Sequence, residues 1–126
     1  MYPTAVVAAS LGVDLRTVDG IAALAPKLHS GARGRARSFS VEVVELFAIA
    51  LLIRRDLGTP LARAVALAEQ LLASDVSSVR AGTLFRLSLD RDRLQGVLRQ
   101  ALADAVAATS IPRRGRPPRI TRRGAL

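Results

Sequence analysis

Seventeen residues from Val41 to Leu57 constrain this chain more than any others. Val44, Phe47, Ala48, Leu51 and Leu52 fall at helical spacing on one stripe, and Val43, Leu46, Ile49, Ala50 and Ile53 widen that stripe over most of the circumference. A helix apolar on nearly every side must be enclosed by other elements, so it belongs at the centre of a core. The apolar run Val43 to Ile53 has 11 residues and is interrupted by Glu45, whereas a membrane span needs roughly 20. Ser40 is placed to cap the helix and Gly58 to end it. The whole chain is 126 residues, enough for one compact core and too short for two ordinary ones. Half of it is apolar, and only Tyr2, Phe39, Phe47 and Phe85 are aromatic. That composition favours Leu/Val/Ala helices over a strand-rich sandwich, and a mainly α fold is expected.

Other helices are expected around the central one. Thr4 can cap a short helix to about Leu11, and Gly12 supplies a turn. Asp14, more a cap than a base reader, opens a second helix from Leu15 to about Leu24, which Pro26 stops. Two short helices around a glycine turn form a helix-turn-helix pattern. Thr59 followed by Pro60 opens a further helix to about Ala73, with Leu61, Ala64, Val65, Ala68, Leu71 and Leu72 as its buried stripe. Ser74 to Gly82 reads as a connection, and the alternation over Thr83 to Leu89 as one short strand. Asp90 caps a last helix whose stripe runs through Leu94, Val97, Leu98, Ala101, Leu102, Ala105 and Val106. So long a stripe with little chain left to pack on implies a partner chain, most simply a two-fold homodimer or higher homo-oligomer through residues 83–108; the alternative is that the helix folds back on the N-terminal core. The expected organisation is a DNA-binding domain over 1–74, a strand-helix dimerisation module over 75–108 and a disordered arginine-rich tail over 109–126.

The net charge of +9 is not spread evenly. Lys27, Arg33, Arg35 and Arg37 lie in a segment without an acid, and six arginines follow Thr109, again without an acid, so the rest of the chain is close to neutral. Such concentration on loop-like segments is the footprint of a polyanion partner, or else of two solvated basic loops. The stretch from Pro26 to Ser40 loses apolar periodicity and gains glycines, as a basic wing would. Arg33, Arg35 and Arg37 alternate with small residues and would share one face of an extended hairpin. At the start of the second helix, Arg16 is suited to guanine or phosphate, and Thr17 to phosphate or a thymine methyl.

Three segments together resemble the MerR-type winged-helix regulators over Tyr2 to Ala73. They are Leu11-Gly12-Val13-Asp14-Leu15-Arg16-Thr17-Val18, then Arg35-Ala36-Arg37-Ser38-Phe39-Ser40, then Leu57-Gly58-Thr59-Pro60-Leu61. The resemblance implies a winged helix-turn-helix with a recognition helix in the major groove, a wing on the backbone or minor groove, and dimers on two half-sites. The chain departs from the family at Asp19-Gly20-Ile21, where Arg and aromatic residues are usual, and it lacks the family's long coiled coil. In the tail, Arg114-Gly115-Arg116-Pro117 is similar to the core of the AT-hook, extended by Arg113 and Arg119. Glycine lets such a segment lie on the floor of an A·T-rich minor groove while the arginines point along its negative potential.

No cysteine, no phosphate-cradling glycine loop and no carboxylate pair in a plausible cleft points to an enzyme, a cofactor or a metal. The sequence therefore leads to a double-stranded DNA-binding protein of the cytoplasm or nucleoid, a transcriptional regulator before an architectural coating or bending protein. Other readings are an antitoxin-like or assembly factor with a protein partner, and RNA binding through the tail. Neither a secretory signal nor a membrane span is expected.

Overall fold

A computed structural model describes residues 1–24 and 38–110 of the chain, with the side chain of Ser110 left aside. The described residues are mainly helical. In order they form β1 (Tyr2–Pro3), α1 (Thr4–Leu11), α2 (Leu15–Leu24), β2 (Ser38–Phe39), α3 (Val41–Leu57), α4 (Leu61–Ala73), β3 (Ser78–Ala81), β4 (Phe85–Ser88) and α5 (Arg91–Ser110). Of the wing expected between Pro26 and Ser40 only Ser38–Ser40 is described, and of the tail expected over 109–126 only Thr109 and Ser110; residues 25–37 and 111–126, with the cations of both segments, lie outside the described residues.

α3 occupies the centre, as its all-round apolar character requires. Val44, Leu46, Phe47 and Ala50 are sealed from solvent, and Val43, Ala48, Ile49 and Ile53 nearly so. α4 covers one flank through Ala64, Val65, Leu67, Ala68 and Leu71. Phe39 closes an end by meeting the Phe47 ring edge-on, with centroids 5.2 Å apart and planes at 68°. The capping logic holds: the N–H of Val43 bonds to Oγ of Ser40 at 3.3 Å, and Gly58 ends α3 in the left-handed conformation. The first helix and the fourth start differently from expectation. Pro3 and Pro60, each extended, stand at the N-cap positions without a side-chain cap, so Thr4 begins α1 as a helical residue and Thr59 precedes the cap of α4.

Three features correct the sequence reading. First, α5 folds back on α1 and touches α3, burying Leu98, Leu102 and Ala105 in the same apolar cluster that α1 to α4 build. The middle of its stripe is covered within the chain, so a shortage of its own chain to pack on no longer argues for a partner. Val97 and Val106 on the same helix stay exposed, and α5 continues through Ser110, past the expected start of the tail. Second, the expected single strand over Thr83 to Leu89 is half of an antiparallel hairpin. Its other half, β3, comes from the stretch read as a connection, in the register Ser78 to Ser88, Val79 to Leu87, Arg80 to Arg86 and Ala81 to Phe85. β3 was hard to see because Val79 is its one large apolar side chain among small and charged neighbours. Third, Tyr2 and Pro3 form a strand that pairs with Phe39 and Ser38.

Glu45, the one interruption in the central apolar run, is buried rather than solvated. Its side chain is 5% exposed, and Nε of Arg91 lies 3.0 Å from its Oε2. Nη2 of Arg91 reaches Oε1 at 3.4 Å, and the Gln95 amide donates to Oε2 at 3.2 Å. The carboxylate in turn raises the pKa of the Arg91 guanidinium above its ordinary value, chiefly through this hydrogen bond. A charge taken out of water needs such satisfaction, and removing one partner costs more than removing both. Arg91→Ala is expected to destabilise the fold by about 2 kcal/mol, measured by urea denaturation. The double change Glu45→Leu with Arg91→Met should recover most of that loss.

Candidate nucleic-acid interface

The first two helices are joined by a tight, fully bonded corner. α1 ends with the N–H of Val13 donating to the Ala8 carbonyl at 3.0 Å and that of Gly12 to Ala9 at 3.3 Å. This pairing of the last carbonyls requires a left-handed residue between them, and Gly12 takes it at φ +69°. Two residues later Asp14 caps α2. A single carboxylate oxygen, Oδ1, accepts the Thr17 N–H at 2.8 Å and the Thr17 hydroxyl at 2.6 Å. These two bonds, the hydroxyl first, and the neighbouring Arg16 charge hold the Asp14 carboxyl below the usual carboxylate range.

α2 is amphipathic in the simplest way. Val18, Ile21 and Ala22 are buried, while Leu15, Arg16, Asp19 and Gly20 face solvent. Arg16 therefore stands in the first turn of an exposed, capped helix, whose N-terminal dipole is met by the Asp14 carboxylate and leaves Arg16 as the cation there. Thr17 is half-buried, and its hydroxyl proton is committed to Asp14. What remains of Thr17 for a ligand is its methyl group and the oxygen's accepting capacity, so it supports the helix start more than it reads a partner. Beside this corner, Leu11, Val13, Leu51 and Leu98 line an open groove of about 680 Å³, with Arg54 and Arg55 among its lining residues.

Of the residues singled out in the sequence, Arg16 and Thr17 are brought together at the start of α2. Lys27, Arg33, Arg35 and Arg37 lie outside the described residues, as do Arg113, Arg114, Gly115, Arg116, Pro117 and Arg119. The flanks of the first basic segment are placed, however. On one side α2 runs to Leu24 and packs on α1 and α4; on the other, Ser38 pairs with Pro3 immediately before α1. The strand β1 that makes this tie was not foreseen, since two residues carry no period. Among the described residues no three His, Asp or Glu side chains gather as metal ligands, and no helix is long and apolar enough to cross a membrane. Comparison with protein-family models, curated proteins and solved structures gives no match to this chain.

Two tests follow from the geometry of α2. The lowered Asp14 pKa means that its contribution to stability is full above the ordinary carboxylate range and is lost as the pH falls through the lowered value. In Asp14→Asn, which retains a capping oxygen, the acid limb of a stability–pH profile should be correspondingly shallower than in the parent. At Gly20 a Cβ would meet nothing within 4 Å. Gly20→Ala is expected to raise stability by about 0.5–1 kcal/mol through helix propensity alone, readable as an upward shift in Tm.

Proposed function

We propose that this chain is a DNA-binding protein, acting as a transcriptional regulator, in which α1 and α2 serve as a helix-turn-helix and α2 is the recognition helix. The observation that carries this reading is the start of α2: a capped, exposed N-terminal turn with Arg16 on its outer face, attached to a basic segment whose two flanks are both tied to α1. A helix start of that kind can meet base edges or phosphate with its first side chains, Arg16 above all. Lys27, Arg33, Arg35 and Arg37 are the cations of the adjoining segment, which in this reading is the wing. The tail, with Arg113, Arg114, Arg116 and Arg119 around Gly115 and Pro117, adds a minor-groove contact on A·T-rich sequence. The resemblance of the three segments between Leu11 and Leu61 to MerR-type regulators supports the same assignment.

The charge distribution favours DNA over a small anion. Ten cations in two acid-free segments suit an extended polyanion, whose binding releases counterions and falls steeply with salt. Arg16 stands apart from those segments at the position from which base edges are read, and it is assigned discrimination among sites.

The test is duplex binding by the full chain and by a version ending at Ser110, on random and A·T-rich sequences at several salt concentrations. Removing six arginines should weaken binding most on A·T-rich DNA and flatten the slope of log affinity against log salt by up to about five. Arg16→Ala should narrow the affinity gap between preferred and random sites, each lost base contact being worth roughly 1–3 kcal/mol. Absence of binding by the full chain at low salt overturns the proposal.

A further inference from the structure

The hairpin of β3 and β4 has an unusual distribution of side chains. On one face its root is docked: Val79 and Leu87 pack against the core, and the Leu89 N–H bonds back to the Ser77 carbonyl at 2.9 Å. Its outer end has no such cover. Phe85 is 74% exposed and Leu84, in the turn, 89%, although the chain has only four aromatic residues and both Phe39 and Phe47 are sealed in the core. The opposite face carries Arg80 and Arg86 directly across from one another. Like charges in that position repel and weaken a two-stranded sheet. Each guanidinium is nonetheless held in place, Nη1 of Arg80 on the Thr83 carbonyl and Nη1 of Arg86 on Oγ of Ser78, both at 3.3 Å. No acid occurs between Val76 and Leu89. Gly82, at φ +83°, closes the turn and brings Leu84 to the tip.

We infer that this hairpin is a second DNA-contacting arm, whose tip residues Leu84 and Phe85 wedge between base pairs in the minor groove while Arg80 and Arg86 grip the adjoining phosphates. The inference rests on the DNA-binding reading above and adds to it a site and a mechanical effect. An anion placed over Arg80 and Arg86 converts their mutual repulsion into attraction, which supplies a reason for two arginines to stand face to face on a small sheet. Apolar side chains at a projecting tip, flanked by cations, have the chemistry of a wedge: they part a base step, and the kinked duplex then wraps more protein surface. Charge selects nucleic acid over a protein face as the occupant, since the arm itself has two cations and no anion. Strands of four residues reach about 13 Å, enough to span a minor groove about 6 Å wide.

The experiment uses the full chain and an end-labelled duplex of roughly 30 base pairs, read by energy transfer between the ends and by binding at several salt concentrations. The parent is expected to shorten the end-to-end distance as it binds. Leu84→Ser with Phe85→Ser, both at exposed positions, should abolish the shortening and weaken binding about tenfold, with circular dichroism melts unchanged. Arg80→Gln with Arg86→Gln should lower the slope of log affinity against log salt by about two. Bending by the tip variant equal to the parent, with parental affinity, overturns the arm and leaves the DNA reading standing. A tip variant that bends DNA normally but loses mass in sedimentation also overturns it, assigning the tip to a second protein chain. Failure of the parent itself to bind any duplex overturns both.

Discussion

Burial of the Val43–Ala50 stretch of α3 on every side is the constraint from which the other packing decisions follow. A surface helix can leave one face to water, and then two neighbours suffice to cover it. From Val43 to Ala50 α3 has no such face, so α4, α1, the Phe39 edge and finally α5 are all drawn around it or against its neighbours. The return of α5 to α1 is a consequence of the same demand, since Leu98, Leu102 and Ala105 complete a cluster that would otherwise be open. Glu45 is the one concession in that helix, and it is tolerated because α5 begins with Arg91 and places Gln95 one turn later.

Local rules were the most legible part of the sequence. Asp14, Ser40 and Asp90 each accept the N–H three residues ahead, as their positions before apolar runs predict. Gly12 and Gly58 end helices for the reason expected of them, the absence of a Cβ at positive φ. What could not be read depends on partners distant in the chain. β1 exists only because Ser38 and Phe39 arrive beside it, and β3 only because β4 turns back along it. The destination of α5 is of the same kind: its stripe announces burial and says nothing about which surface receives it.

The candidate interface divides along the same line. That Arg16 stands at the exposed start of a helix follows from a cap and a period, both local. That the Thr17 hydroxyl is spent on Asp14 does not, because Thr at that position suits a cap and a ligand equally well until the bond is seen. Charge segregation was visible without any structure, since it needs only the order of residues. The importance of the hairpin was not, because exposure of Leu84 and Phe85 becomes notable only once the two other phenylalanines are found enclosed.

The buried Glu45 site also fixes the hairpin's bearing. Arg91 and Gln95 belong to the helix that begins three residues after β4 ends at Ser88, with Leu89 and the cap Asp90 between them. One end of the hairpin is thus tied, through two side chains at the start of α5, to Glu45 in the second turn of α3. The other end is joined to α4, which packs along that same helix. α2 is seated on α1 and α4 as well. The separation between its outer face and the hairpin tip is therefore set by packed helices and not by a linker; in the DNA-binding reading proposed above, two contacts on one duplex would then be laid down at a constant phase of the double helix, and a change of spacing between them would have to be met by the DNA.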